Sequence, residues 1–133
     1  SQARAAADAG IRVSFYNRDV SSEGVCEQLQ PLAGARCAHL AFDPVGFVRV
    51  GEKPFLTSLQ NRLKRFTDQL DLHDATFAGE PTRIGYGNGE VKELVSILRC
   101  SSFDGTIVLG AGNAAVADLR QTAIDLERML LSL

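Results

Sequence analysis

The 133 residues carry a formal net charge of −2, which gives nucleic acid no basic face to bind. A hydrophobic fraction of 45% with 23% charged residues fits one globular domain over 1–133 with a single core. No apolar run approaches the ~20 residues that a membrane span needs, and no secretory signal is visible. Cys26, Cys37 and Cys100 are odd in number and lack metal-type spacing. They read as small buried hydrophobes in a reduced, cytoplasmic chain.

In chain order, Ala3 to Ala9 predicts a helix stopped by Gly10. Ile11 to Asn17 is the first strand. Val25, Leu29 and Leu32 mark a short helix capped by Ser21 or Ser22 and limited by Pro31. Cys37 to Asp43 is the second strand. Phe55, Leu56, Leu59, Leu63 and Phe66 recur at helical spacing, with Arg62, Lys64 and Arg65 on the solvated side. Leu70 to Asp74 forms the third strand. A loop holding Gly79, Gly85, Gly87 and Gly89 follows, and Asn88 can cap the helix of Val91, Leu94, Val95 and Leu98. Asp104-Gly105 predicts a turn, and Thr106 to Leu109 the fourth strand. The last helix puts Val116, Leu119, Ala123, Leu126 and Leu130 on one stripe.

Strands alternating with helices predict right-handed crossovers and a parallel sheet. Val13, Phe15, Leu40, Phe42, Leu70, Leu72, Ile107 and Leu109 share one face, apolar enough to take the helices. Ser14, Tyr16, His39, Ala41, Asp43, Asp71, His73, Thr106, Val108 and Gly110 share the other, which is mixed and partly polar. A doubly wound sheet needs two apolar faces. A barrel interior that turns polar toward its mouth fits better. The fold class is therefore α/β: four parallel β/α units, half of a TIM-type (β/α)8 barrel, since a closed barrel takes roughly 250 residues. Such a half exposes two strand edges, and pairing them predicts a homodimer or a higher closed assembly.

Asp43 and His73 sit at the C-terminal ends of adjacent predicted strands, the rim on which β/α barrels build active sites. A carboxylate and an imidazole suit zinc, manganese or a similar divalent ion, and Asp71 lies two positions below His73 on the same face. Two ligands are one short of an ordinary catalytic zinc site. Asp43 equally suits a turn or helix cap, and His73 and His39 equally suit hydrogen-bonded structural roles.

Leu70-Asp71-Leu72-His73-Asp74 leads into a loop with Arg83 and the glycines, then Gly89-Glu90-Val91, a helix, and Phe103-Asp104-Gly105-Thr106-Ile107-Val108-Leu109. Upstream stand Gly10-Ile11-Arg12-Val13-Ser14-Phe15-Tyr16-Asn17 and Leu40-Ala41-Phe42-Asp43. In order and spacing these resemble the second half of sugar-phosphate isomerases and epimerases of the xylose-isomerase-like barrel superfamily. The resemblance implies a divalent metal (Zn, Mn or Mg) held by a glutamate, an aspartate, a histidine and a second glutamate. The glutamates also serve proton transfer next to a carbonyl. The aspartate falls on Asp43 and the histidine on His73. The two glutamate positions fall on Tyr16 and Gly110, and a substrate-binding histidine is replaced around Gly46 and Phe47. The metal site is thus degenerate, and no catalytic base is named. Arg83 is the implied substrate contact.

Val108-Leu109-Gly110-Ala111-Gly112-Asn113-Ala114-Ala115 also has the Gly-x-Gly-x-x-Ala form of a dinucleotide turn. No following strand supplies the acidic ribose contact. Gly110, Gly112 and Asn113 remain either a phosphate loop at a helix N-terminus or a plain tight turn. Two functions follow. One is an isomerase/epimerase barrel segment for a sugar or sugar phosphate, inactive alone and completed by an N-terminal half or a partner. The other is a non-catalytic half-barrel module for binding or assembly that holds a phosphorylated small molecule.

Overall fold

A computed structural model describes residues 2–34, 38–110 and 116–133. Its main sheet has four parallel strands, β1 (Val13–Tyr16), β2 (Ala38–Phe42), β3 (Thr67–Leu72) and β6 (Thr106–Leu109), in the order β1-β2-β3-β6. Helices α1 (Gln2–Asp8), α2 (Ser22–Leu29), α3 (Pro44–Arg49), α4 (Val91–Cys100) and α5 (Val116–Leu131) alternate with them. Sequential strands are neighbours, as they are in a barrel wall. The predicted parity holds: Leu40, Phe42, Leu70 and Leu72, each at most 1% exposed, pack on Leu29, Leu59, Leu63, Val91, Leu94 and Leu98. The other face is only partly covered: Tyr16 is 45% exposed, while Ala41 and Asp71 are buried. Among the described residues no helix is long and apolar enough to cross a membrane.

The caps follow the sequence in part. Ser21 accepts from the Gly24 amide at 3.2 Å and starts α2. Asn88 does not cap α4. The cap position is Glu90, in left-handed geometry, and the Asn88 side chain instead accepts from the Phe77 amide. The Glu90 carboxylate reaches across to the amides of Phe55 and Leu56, at 3.2 and 3.3 Å, and so binds the next helical stretch back to α4.

Three elements depart from expectation. The helix expected over Phe55 to Phe66 is a π-helix over Pro54–Leu63 followed by a tight turn over Lys64–Phe66, and a short helix that the apolar periodicity does not announce, α3, precedes it. Pro44 pre-sets φ for α3 and Pro54 for the π-helix. The third strand opens at Thr67, before Leu70, and ends at Leu72. Its register against β2 slips by one residue between Leu40 and Ala41, which leaves Asp68 as the extra residue. Asp68 binds Arg12 at 2.6 Å and lies 3.6 Å from His39 Nδ1, which gives His39 its structural role. Asp74–Ala75 (β4) and Pro81–Thr82 (β5) then pair antiparallel inside the supposed loop.

On α5, Leu119, Leu126 and Met129 are half-buried, Ala123 and Leu130 are exposed, and Asp125 is buried. Cys26 is buried as expected, but Cys100 is exposed at the end of α4. Cys37, Gly112 and Asn113 lie outside the described residues.

Candidate functional site at the half-barrel mouth

Asp43 follows β2 and caps α3, accepting from the Val45 amide at 3.0 Å. It does not stop there. Its Oδ1 also lies 2.5 Å from His73 Nε2, and His73 follows β3 directly. The cap reading and the site reading of Asp43 thus describe one side chain. Burial pushes the Asp43 carboxyl upward. The hydrogen bond and charge of His73 and the amides of Gly46 and Val45 outweigh this, and its pKa falls below the usual range. An ionised carboxylate only accepts, so Nε2 carries the ring proton in this pair.

The backbone of Asp43 is clamped from β1. Asn17, fully buried, donates from Nδ2 to the Asp43 carbonyl at 2.8 Å and accepts from the Asp43 amide at 2.7 Å. Its carboxamide imitates a neighbouring strand just where the sheet ladder ends. Gly46 fits beneath it because a Cβ there would lie 2.6 Å from the Asn17 carbonyl oxygen.

Asp74 was missed by sequence reasoning as a functional organiser. Its carboxylate is 3% exposed and accepts from four amides: Ala75 (2.9 Å), Gly85 (2.9 Å), Gly87 (3.1 Å) and Gly89 (2.8 Å). A Cβ on Gly87 or Gly89 would sit 2.5 or 2.6 Å from Asp74 Oδ1, so the glycines let the loop close on one carboxylate. This wraps the loop against the end of β3 and positions Arg83. The guanidinium of Arg83 binds Asp125 of α5 through Nε (3.1 Å) and NH2 (2.7 Å), which docks the last helix against the mouth.

Asp43, His73, Asp71 and Arg83 line one cleft of about 760 Å³, together with Arg18 and Arg49. Gln69 Nε2 donates to both Asp71 Oδ1 (2.9 Å) and the Tyr16 hydroxyl (3.0 Å), so the residue at the first glutamate position is tied into the same polar layer. Gly110 has φ +80°, and a Cβ there would meet Leu119 Cδ2 at 2.2 Å; a side chain at the second glutamate position would strain the backbone and have to displace Leu119. A four-ligand metal centre does not fit these residues. Nε2 of His73 is committed as a donor, and no group of three or more His, Cys, Asp or Glu side chains stands ready to ligate among the described residues.

Asp71 is buried, and burial pushes its carboxyl above the usual range. The Gln69 amide pulls the other way and the charge of Asp43 adds to the rise. The two aspartates therefore act oppositely on folding. Asp43 contributes stability above the ordinary carboxyl pKa of ~3.9 that is lost as pH falls through its lower folded value. Asp71 favours folding below ~3.9, and that contribution is lost as pH rises through its higher folded value. Asp71→Asn keeps an oxygen for Gln69 and removes the buried charge. The variant should melt above the parent at pH 7, with the difference closing at pH values below ~3.9. Thermal melts across pH test this; equal melting at pH 7 would refute the assignment.

No family model matches the chain, and no curated protein matches it. Solved structures do. A xylose isomerase domain protein from Planctomyces limnophilus superposes with a TM-score of 0.74 at 18% identity, over 94% of this chain and 46% of that one. A D-tagatose 3-epimerase-like protein gives 0.76 at 20% identity, over 96% and 50%. AsbF, a probable 3-DHS dehydratase involved in petrobactin synthesis in Bacillus anthracis, gives 0.74 at 15% identity, over 94% and 52%. The chain spans about half the length of the solved structures it matches. Its fold is that of one half of a TIM barrel, similar to about half of each of these proteins.

Proposed function

We propose that the chain supplies half of an isomerase- or epimerase-type barrel for a sugar or sugar phosphate. On its own it binds divalent metal weakly and does not turn substrate over. The observation that carries this reading is the Asp43–His73 pair at the ends of adjacent parallel strands, with Tyr16 and Gly110 standing where two more carboxylates are expected. Asp43, held in place by Nε2–H of His73, offers a carboxylate acceptor to a sugar hydroxyl at the mouth. Such a pair orients a ligand, but it provides no second carboxylate to exchange a proton next to a carbonyl. Tyr16 is a poor substitute, because a phenol with an ordinary pKa of ~10 stays protonated at neutral pH.

Calorimetric titration with zinc and manganese tests the reading. Only weak binding is expected, since a metal held by one carboxylate and one imidazole keeps most of its water. Sub-micromolar, stoichiometric binding abolished by His73→Ala would overturn it and favour an active centre. The alternative, a non-catalytic module holding a phosphorylated ligand at Gly110, Gly112 and Asn113, draws support from the left-handed turn at Gly110 (φ +80°) directly after β6.

The missing wall comes from an N-terminal half or from a second copy. β1 and β6 are the sheet edges among the described residues, and a two-fold axis along the barrel would set β1 of each copy beside β6 of the other, parallel. Light scattering during gel filtration should give twice the chain mass. A monomer at high micromolar concentration would rule out the second copy.

A further inference from the structure

We propose that Arg18 and Arg49 form an oxyanion subsite in the mouth cleft, for the phosphoryl or carboxylate group of a carbohydrate ligand. The carbohydrate part rests on the function proposed above; the anion part does not. Three arginines line this cleft, and each is carried by the segment after a different strand. Arg18 lies two residues beyond β1, Arg49 is in the last turn of α3 after β2, and Arg83 follows β5. Arg83 is committed to Asp125 through two hydrogen bonds. Arg18 and Arg49 are exposed, and neither is among the ion pairs of the described residues. The Arg18 guanidinium lies 5.4 Å from the centre of the Tyr16 ring, which limits its directions without using its N–H donors.

The acidic groups of the cleft are mostly engaged. Asp43 accepts from His73 and Val45, Asp74 from four amides, and Asp71 from Gln69. Asp118, exposed in the first turn of α5, is the one acidic side chain on the cleft without a side-chain hydrogen bond or ion pair among the described residues. The cleft thus presents two guanidinium forks that make no ion pair or hydrogen bond among the described residues, Arg18 near enough to Asp71 for their charges to attract, and one exposed carboxylate, Asp118. Guanidinium forks match the paired oxygens of phosphate and carboxylate groups. An anionic group held there leaves the rest of a ligand within a cleft whose floor carries Asp43 and His73.

The test is calorimetry of the chain with ribose 5-phosphate, glucuronate, ribose and inorganic phosphate, at low and high salt. The parent should bind ribose 5-phosphate at least ~10-fold more tightly than ribose, with the advantage shrinking as salt rises. Arg18→Ala/Arg49→Ala should abolish that advantage. Both side chains are exposed, so the variant should fold, and circular dichroism checks that it does. Glucuronate binding as tightly as the phosphate ester assigns the subsite to carboxylates; the reverse assigns it to phosphoryl groups. Inorganic phosphate bound through the two arginines, with ribose not bound, keeps the subsite and removes the carbohydrate reading. Ribose bound without phosphate, no ligand bound, or ribose 5-phosphate bound equally by the double variant overturns the subsite.

Discussion

Asp74→Ala is expected to lower the free energy of unfolding by about 4 kcal/mol. The carboxylate is nearly inaccessible and holds four amides between 2.8 and 3.1 Å. A hydrogen bond to a charged acceptor contributes roughly 1.5–3 kcal/mol. Four such bonds do not add in full, because three of the amides sit in a loop that can open to water. The loss therefore falls below the simple sum but above that of one bond. Asp74→Asn keeps the shape but turns an NH2 toward two amides, and it should cost about half as much. Urea denaturation measures both changes. Hydrogen exchange should also rise at Gly85, Gly87 and Gly89 while the amides of β2 stay protected. A cost under about 1 kcal/mol would mean that the glycine loop is held by something other than this carboxylate.

The role of Asp74 shows where sequence reading stopped. Strand parity was legible because burial imposes a period of two, so Leu40, Phe42, Leu70 and Leu72 declared the helix face, and with it Asp43 and His73 at the rim. The loop carried a signal of its own. Gly85, Gly87 and Gly89 recur every second residue, the spacing at which an extended backbone turns successive amides to the same side. An acidic residue shortly upstream is the natural acceptor, but glycines alone equally suggest a phosphate loop, and nothing local separates the two. The start of β3 was hidden for another reason: Phe66 and Leu70 satisfy a helical period, whereas Thr67 and Leu70 become strand residues only through the extra residue at Asp68. The Asn17 clamp was not legible at all. It joins positions 26 apart through a side chain whose type suits any turn.

Gly46→Ala should destabilise the chain by about 2–4 kcal/mol, although alanine is the better helix former. In α3 the exchange would gain about 1 kcal/mol of intrinsic propensity. Against this, the new methyl would lie 2.6 Å from the Asn17 carbonyl oxygen and 2.8 Å from its Nδ2. Asn17 cannot retreat without releasing the Asp43 peptide, whose amide and carbonyl it holds at 2.7 and 2.8 Å in a fully buried place. Either α3 moves off the end of β1, at an overpacking cost of about 1–3 kcal/mol, or one buried bond breaks at a similar cost. Both outcomes exceed the propensity gain. The same contact leaves no room at position 46 for the larger histidine that the family resemblance places near it. Asn17→Ala provides the control, since it removes the bonds without adding bulk. Combining it with Gly46→Ala should bring little relief, because the nearer obstacle is the backbone oxygen and not the side chain. Chemical denaturation of the two single variants and the double variant decides the matter. A Gly46→Ala protein as stable as the parent, or a double variant no worse than Asn17→Ala alone, would show that α3 and β1 are not locked together at this point.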